Sequence, residues 1–197
     1  MKVFSPPKPK KTVTAPKHKG KDAFKPTKAT VIFMNYNIEE LQIRQMQMSD
    51  KPLVEAFFAQ MGEESASFFN RGRGNEKRTL SWFDGGKPDH IFWIAVAVRD
   101  DGTEEIAGYV FIWNKESKIP WLGIAVAEAW KGRHLGRRLI AAVREHCENN
   151  GCGGILLTTA QNNFRGQGLY EHCGFERLGV YHDGEFLYLL RFPNTTT

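Results

Sequence analysis

The chain has only three cysteines in 197 residues, Cys147, Cys152 and Cys173. An odd count leaves at least one thiol unpaired, and Cys147 and Cys152 lack a second ligand pair at metal-site spacing. We expect reduced, partly buried thiols of a cytoplasmic protein, with no zinc or other metal. Long apolar runs are missing too. None approaches the roughly 18 residues that a membrane span needs, so no membrane partner is expected. Prolines and lysines follow Met1 where the apolar core of a signal peptide would stand. These shortages argue against a disulfide scaffold, a zinc module and an integral membrane protein.

Charge is present but unevenly spread. The net value is +5, yet residues 1–30 hold nine Lys, five Pro and one acid, Asp22, which makes that segment +8. The remaining 18 basic and 21 acidic side chains give −3. The sequence therefore divides into a basic arm over 1–30 and a mildly acidic domain over 31–197. The arm has scattered apolar residues and no periodicity. It cannot bury enough surface to offset the entropy of ordering, so it is expected to be disordered. It could contact RNA, a ribosome or an acidic membrane, or it could be a solubilising or linker tail. Only Phe4 and Phe24 are there to stack on bases.

The folded part is expected to begin between Val31 and Leu41. LQIRQM (41–46) alternates like a strand, and Ser49-Asp50 with Pro52 reads as a capped helix start. Leu53, Val54, Phe57, Phe58 and Met61 then recur at helical spacing. A segment rich in Arg, Asn and Gly, 64–86, reads as short helical pieces and loops. Three apolar runs follow, 91–98, 106–113 and 119–126, the first two joined by the turn signal Asp101-Gly102. Leu135, Leu139, Val143 and Cys147 mark one face of a helix that stops near Gly151. Residues 154–160 read as a buried strand, and a short helix follows over 163–172. Asp183-Gly184 joins two last strands, 176–181 and 185–191. The order predicts an α/β fold with a mixed, mostly antiparallel sheet of six to seven strands and helices on both faces. The single crossover should leave the strands ending at Val126 and beginning at Ile155 parallel and adjacent.

The most informative stretch is Ile124 to Gly136, IAVAEAWKGRHLG. It is a strand end, a bend, and a basic turn bounded by Gly132 and Gly136 that opens onto the helix. Glycine lets backbone approach a ligand, and the free N–H groups of a helix start suit phosphate. Arg133, Arg137 and Arg138 add matching charge. The turn is neither a P-loop nor a dinucleotide fingerprint. After the next strand comes Asn163 to Phe175, NFRGQGLYEHCGF. Together the two segments resemble the GNAT superfamily of acetyl-CoA-dependent N-acetyltransferases over about 41–192. Lys131 stands where that family has Arg or Gln, and His134 where it has its first motif glycine.

The resemblance implies roles for particular residues. The backbone of Ile124, Ala125 and Val126 would hydrogen-bond the pantetheine arm of acetyl-CoA. Lys131, Gly132, Arg133, His134, Leu135, Gly136 and Arg137 would cradle its pyrophosphate, through amides for which ordinary φ values suffice. Asn163 would contact the cosubstrate, cap its own helix, or do both. Tyr170 would be the general acid beside the thioester sulfur. The acceptor would be a primary amine on a small molecule or protein, and dimers are common in the family. No carboxylate lies on the strand ending at Val126, and Glu128 beyond it is poorly placed, so no base is assigned. A non-catalytic module that holds acetyl-CoA while the arm binds RNA or ribosome is the alternative. Acceptor specificity should lie in 64–86 and the hairpin 182–185; Arg71 and Arg73 in the first either mark an acidic acceptor or belong to a solvated loop.

Overall fold

The computed structural model describes residues 41–71, 73–86 and 89–193. The arm and the expected start over 31–40 lie outside them. The described residues form seven strands and five α-helices. In chain order these are β1 (Gln42–Gln45), α1 (Lys51–Ala59), α2 (Glu63–Asn70), α3 (Asn75–Phe83), β2 (His90–Val98), β3 (Glu104–Trp113), β4 (Trp121–Val126), α4 (Leu135–Asn149), β5 (Gly154–Thr159), α5 (Phe164–His172), β6 (Glu176–Val180) and β7 (Phe186–Arg191). The sheet order is β1-β2-β3-β4-β5-β7-β6, and every neighbouring pair is antiparallel except β4 with β5. The seven strands, the parallel crossover and both hairpins match the sequence reading.

Strand alternation sends side chains to two cores, one on each face. On one, Phe92, Ile94, Tyr109 and Phe111 meet Val54, Phe57 and Phe58 of α1, Phe69 of α2 and Phe83 of α3. On the other, Val110, Ile112, Leu122, Ile155 and Leu157 meet Leu135, Leu139, Val143 and Cys147 of α4 and Tyr170 of α5. The four α4 positions are the ones that helical spacing marks. Cys147 is fully buried, and this burial pushes its thiol up to about 12, so it packs as an apolar group.

The 64–86 segment is more regular than expected, since α2 and α3 occupy most of it. Pro52 sits in the first turn of α1 as read, but Asp50 does not cap with its side chain. Its carboxylate instead takes both Arg44 Nη atoms at 2.7 Å and the Gln47 amide at 2.7 Å. A bidentate guanidinium with charge is worth more to a buried carboxylate than one helix amide. Those bonds, the Arg44 pair first, hold its pKa below the ordinary carboxylate range despite burial.

β4 and β5 are the pair that positions a site. They register at one residue pair, Trp121 with Leu156, and then diverge. The Leu156 amide donates to Pro120 O at 2.9 Å, while the Ala127 amide donates to Ala107 O on the opposite side at 2.9 Å. Backbone groups alternate sides along a strand, so those of Ile124 and Val126 face the gap that β5 vacates.

Candidate active site

The gap between β4 and β5 widens into a cleft of about 700 Å³. The start of α4 forms one wall, the start of α5 another, and α2 with the α2–α3 connection a third. Of the residues singled out in the sequence, Ile124, Ala125, Val126, Lys131, Gly132, His134, Leu135, Gly136, Arg137, Asn163 and Tyr170 line it. Arg133 does not. Its guanidinium lies 5.4 Å from the ring centre of buried Trp130, a cation–π contact that turns it away. Ala125 lines the cleft as well, but by the alternation above its backbone faces β3. Ile124 and Val126 present the free backbone.

The basic turn is shaped by two left-handed residues. Gly132 has φ +76°, which glycine accepts without cost. His134 has φ +61° and ψ +7°, so the residue standing at the glycine position keeps a glycine-like backbone. This corrects the expectation of ordinary φ values there. A left-handed residue other than glycine costs on the order of 1 kcal/mol, with histidine among the more tolerant types. The result is a concave row of amides. Those of Gly132, Arg133, His134, Leu135 and Gly136 make no hydrogen bond within the described residues. They continue directly into the 15-residue α4, whose dipole adds positive potential at that end. At Gly136 a Cβ would sit 2.8 Å from Leu169 Cδ2, so this glycine lets the start of α4 approach the middle of α5.

Asn163 caps α5. Its Oδ1 accepts from the Gly166 amide at 3.0 Å, and its Nδ2 donates to Thr159 Oγ1 at 3.0 Å. Tyr170 packs its ring against Phe175 and Tyr188, with centroids 6.0 and 5.9 Å away. Its hydroxyl has no partner among the described residues and opens to the cleft. Burial above all, then the charge of Glu185, raises this phenol well above its ordinary value. It keeps its proton at any physiological pH. Lys131 is tied by its ammonium to Ser65 Oγ and Glu128 Oε1, each at 2.6 Å. The Lys131 ammonium, and then the Ser65 hydroxyl donating to Glu128 Oε1 at 2.5 Å, pull Glu128 below the ordinary carboxylate range, so it is a poor proton acceptor.

Four features were missed in the sequence. Phe164 stands at the cleft rim with 77 % of its surface exposed, directly after the cap residue. Trp113 and Thr158 line the cleft too. Glu185, 1 % exposed, receives Arg73 Nη2 and lies 3.3 Å from Arg71 Nε. Arg73 Nη2 also donates to Thr158 Oγ1 at 2.8 Å and Asp183 Oδ2 at 3.1 Å. Burial works against the charge on Asp183, but the Glu185 amide and Arg73 outweigh it and leave this group below its ordinary value. Two guanidinium groups thus face two carboxylates of the protein itself. This removes the basis for an acidic acceptor.

The fold recurs in solved proteins. The GNAT domain of S. lividans PAT is 14 % identical and superposes with a TM-score of 0.65, covering 77 % of this chain and 90 % of that one. Spermidine N-acetyltransferase from Vibrio cholerae, solved with CoA and spermine, is 15 % identical with a TM-score of 0.59, covering 78 % and 95 %. In sequence, an uncharacterized protein of Methanocaldococcus jannaschii is 25 % identical over 120 residues, which is 57 % of this chain and 24 % of that protein. The chain therefore spans about a quarter of the length of this curated relative. The model of the acetyltransferase (GNAT) family matches residues 52–175, more than half of the chain, and the chain belongs to that family.

Proposed function

We propose that this protein transfers an acetyl group from acetyl-CoA to a primary amine, with Tyr170 as general acid. The observation that carries this is the line of unpaired backbone at Ile124 and Val126. It runs between a row of unbonded amides at 132–136 and a protonated phenol at 170, all on one cleft. The amides and Arg137 suit a diphosphate; the open edge of β4 suits an extended amide-bearing arm. Neighbours of the same fold solved with coenzyme A support this direction.

The chain's own groups then divide the work. Val126 N–H stabilises the oxygen that becomes negative when the amine attacks the thioester carbon. Tyr170 donates to the departing sulfur, and its raised value keeps that proton in place until the carbon–sulfur bond breaks. Glu128 is held as an anion by Lys131 and Ser65, and the described part of β4 offers no carboxylate. The nitrogen therefore sheds its proton to water. Holding both partners in line supplies the remaining advantage.

CoA release with a panel of amines tests this reading. Wild type should turn over, and Tyr170→Phe should fall by about 10²- to 10⁴-fold with the KM for acetyl-CoA unchanged. Full activity in the variant would remove Tyr170 from its role. Acetyl-CoA binding with no turnover on any amine would favour a non-catalytic module.

A further inference from the structure

The two arginines of the α2–α3 connection are not equivalent. Arg71 is nearly half exposed and touches Glu185 at 3.3 Å. Arg73 lines the cleft and is anchored three times, to Glu185, Asp183 and Thr158, each time through Nη2. Its Nε and Nη1 make no hydrogen bond among the described residues, and neither atom is buried without a partner. A guanidinium fixed at one nitrogen thus holds three N–H donors, on Nε and Nη1, open to solvent in the wall of the cleft.

Resting on the transferase reading above, we infer that Arg73 orients the acceptor, and that the acceptor carries a neutral carbonyl close to its reacting nitrogen. The simplest amine with such a group is an α-amino amide, free or as the first residue of a peptide. Charge argues for the neutral group. Asp183 and Glu185 already balance Arg71 and Arg73, so no net positive charge is left to hold an acceptor carboxylate. Placement argues for a short spacing, since Arg73 and the open edge of β4 line the same cleft.

The test compares full-length wild type with Arg73→Lys, which keeps the cation but loses the Nε and Nη1 donors. CoA release is followed with alaninamide, an alanine-initiated tripeptide, alanine, and 3-methyl-2-butylamine, the alkyl isostere of the amide. Comparing each amine between the two proteins cancels differences in amine basicity. The expected result is a KM about tenfold higher for the two carbonyl-bearing amines in the variant. The KM values for the alkylamine and acetyl-CoA should stay within about twofold, and alanine should be a poor acceptor for wild type. Loss of the tripeptide effect alone would assign the free amide; loss of the amide effect alone, the peptide. A parallel change for amide and alkylamine would overturn the inference and leave Arg73 as a strut. If wild type turns over no amine at all, the transferase reading falls by itself. The inference is then judged by the thermal shift of the CoA-bound protein with alaninamide: a rise lost in Arg73→Lys sustains it, and no rise overturns it.

Discussion

The two halves of the cleft are built by different means. The half at α4 is made of backbone: five unbonded amides, two left-handed residues and a helix start, all within residues 131–137. The half at α2–α3 and the last hairpin is made of side chains, with Arg73 reaching Thr158 and Glu185 from 85 and 112 positions away. A backbone site tolerates substitution so long as φ and ψ survive. A side-chain lattice is weakened most when its buried carboxylate is removed.

Breaking the lattice should therefore have the largest effect on stability. Glu185→Ala leaves Arg73 and Arg71 without their shared buried partner, and we expect about 2 kcal/mol of destabilisation in chemical unfolding, with acetyl-CoA affinity retained in the folded protein. Loss of CoA binding at full stability would show that the halves are not separable in this way. The reciprocal change is Gly132→Val. Forcing a β-branched residue into φ +76° costs about 1–2 kcal/mol, so acetyl-CoA should bind on the order of tenfold more weakly by calorimetry. Unchanged affinity would mean that this turn is not what holds the cosubstrate.

The same contrast explains what the sequence reveals. The amide turn is legible because its signals are local, with glycines, basic residues and the 3.6-residue spacing of α4 lying side by side. The strands and the Asp101-Gly102 and Asp183-Gly184 hairpins are legible for the same reason. Glu185 is not, because nothing near it announces that guanidinium groups more than a hundred positions away will bury it. Asp50 reads as a cap until Arg44 claims both its oxygens, and Arg133 reads as a phosphate ligand until the ring of Trp130 takes it. His134 misleads differently. A histidine marks no left-handed residue, yet the geometry of the turn imposes one.

The smallest expected effect follows from that position. His134→Gly should relieve the left-handed strain and raise stability by up to about 1 kcal/mol, less the entropy that a glycine adds to the unfolded chain, with acetyl-CoA still bound. A large loss of affinity would instead give the imidazole a direct part in binding.

The most direct measurement is amide hydrogen exchange on the full chain with and without acetyl-CoA. Acetyl-CoA should slow exchange at residues 132–136 and at Ile124 and Val126, leaving the Arg73–Glu185 wall unchanged until an acceptor is added. Protection that falls elsewhere, with the 132–136 amides exchanging as before, would contradict the account.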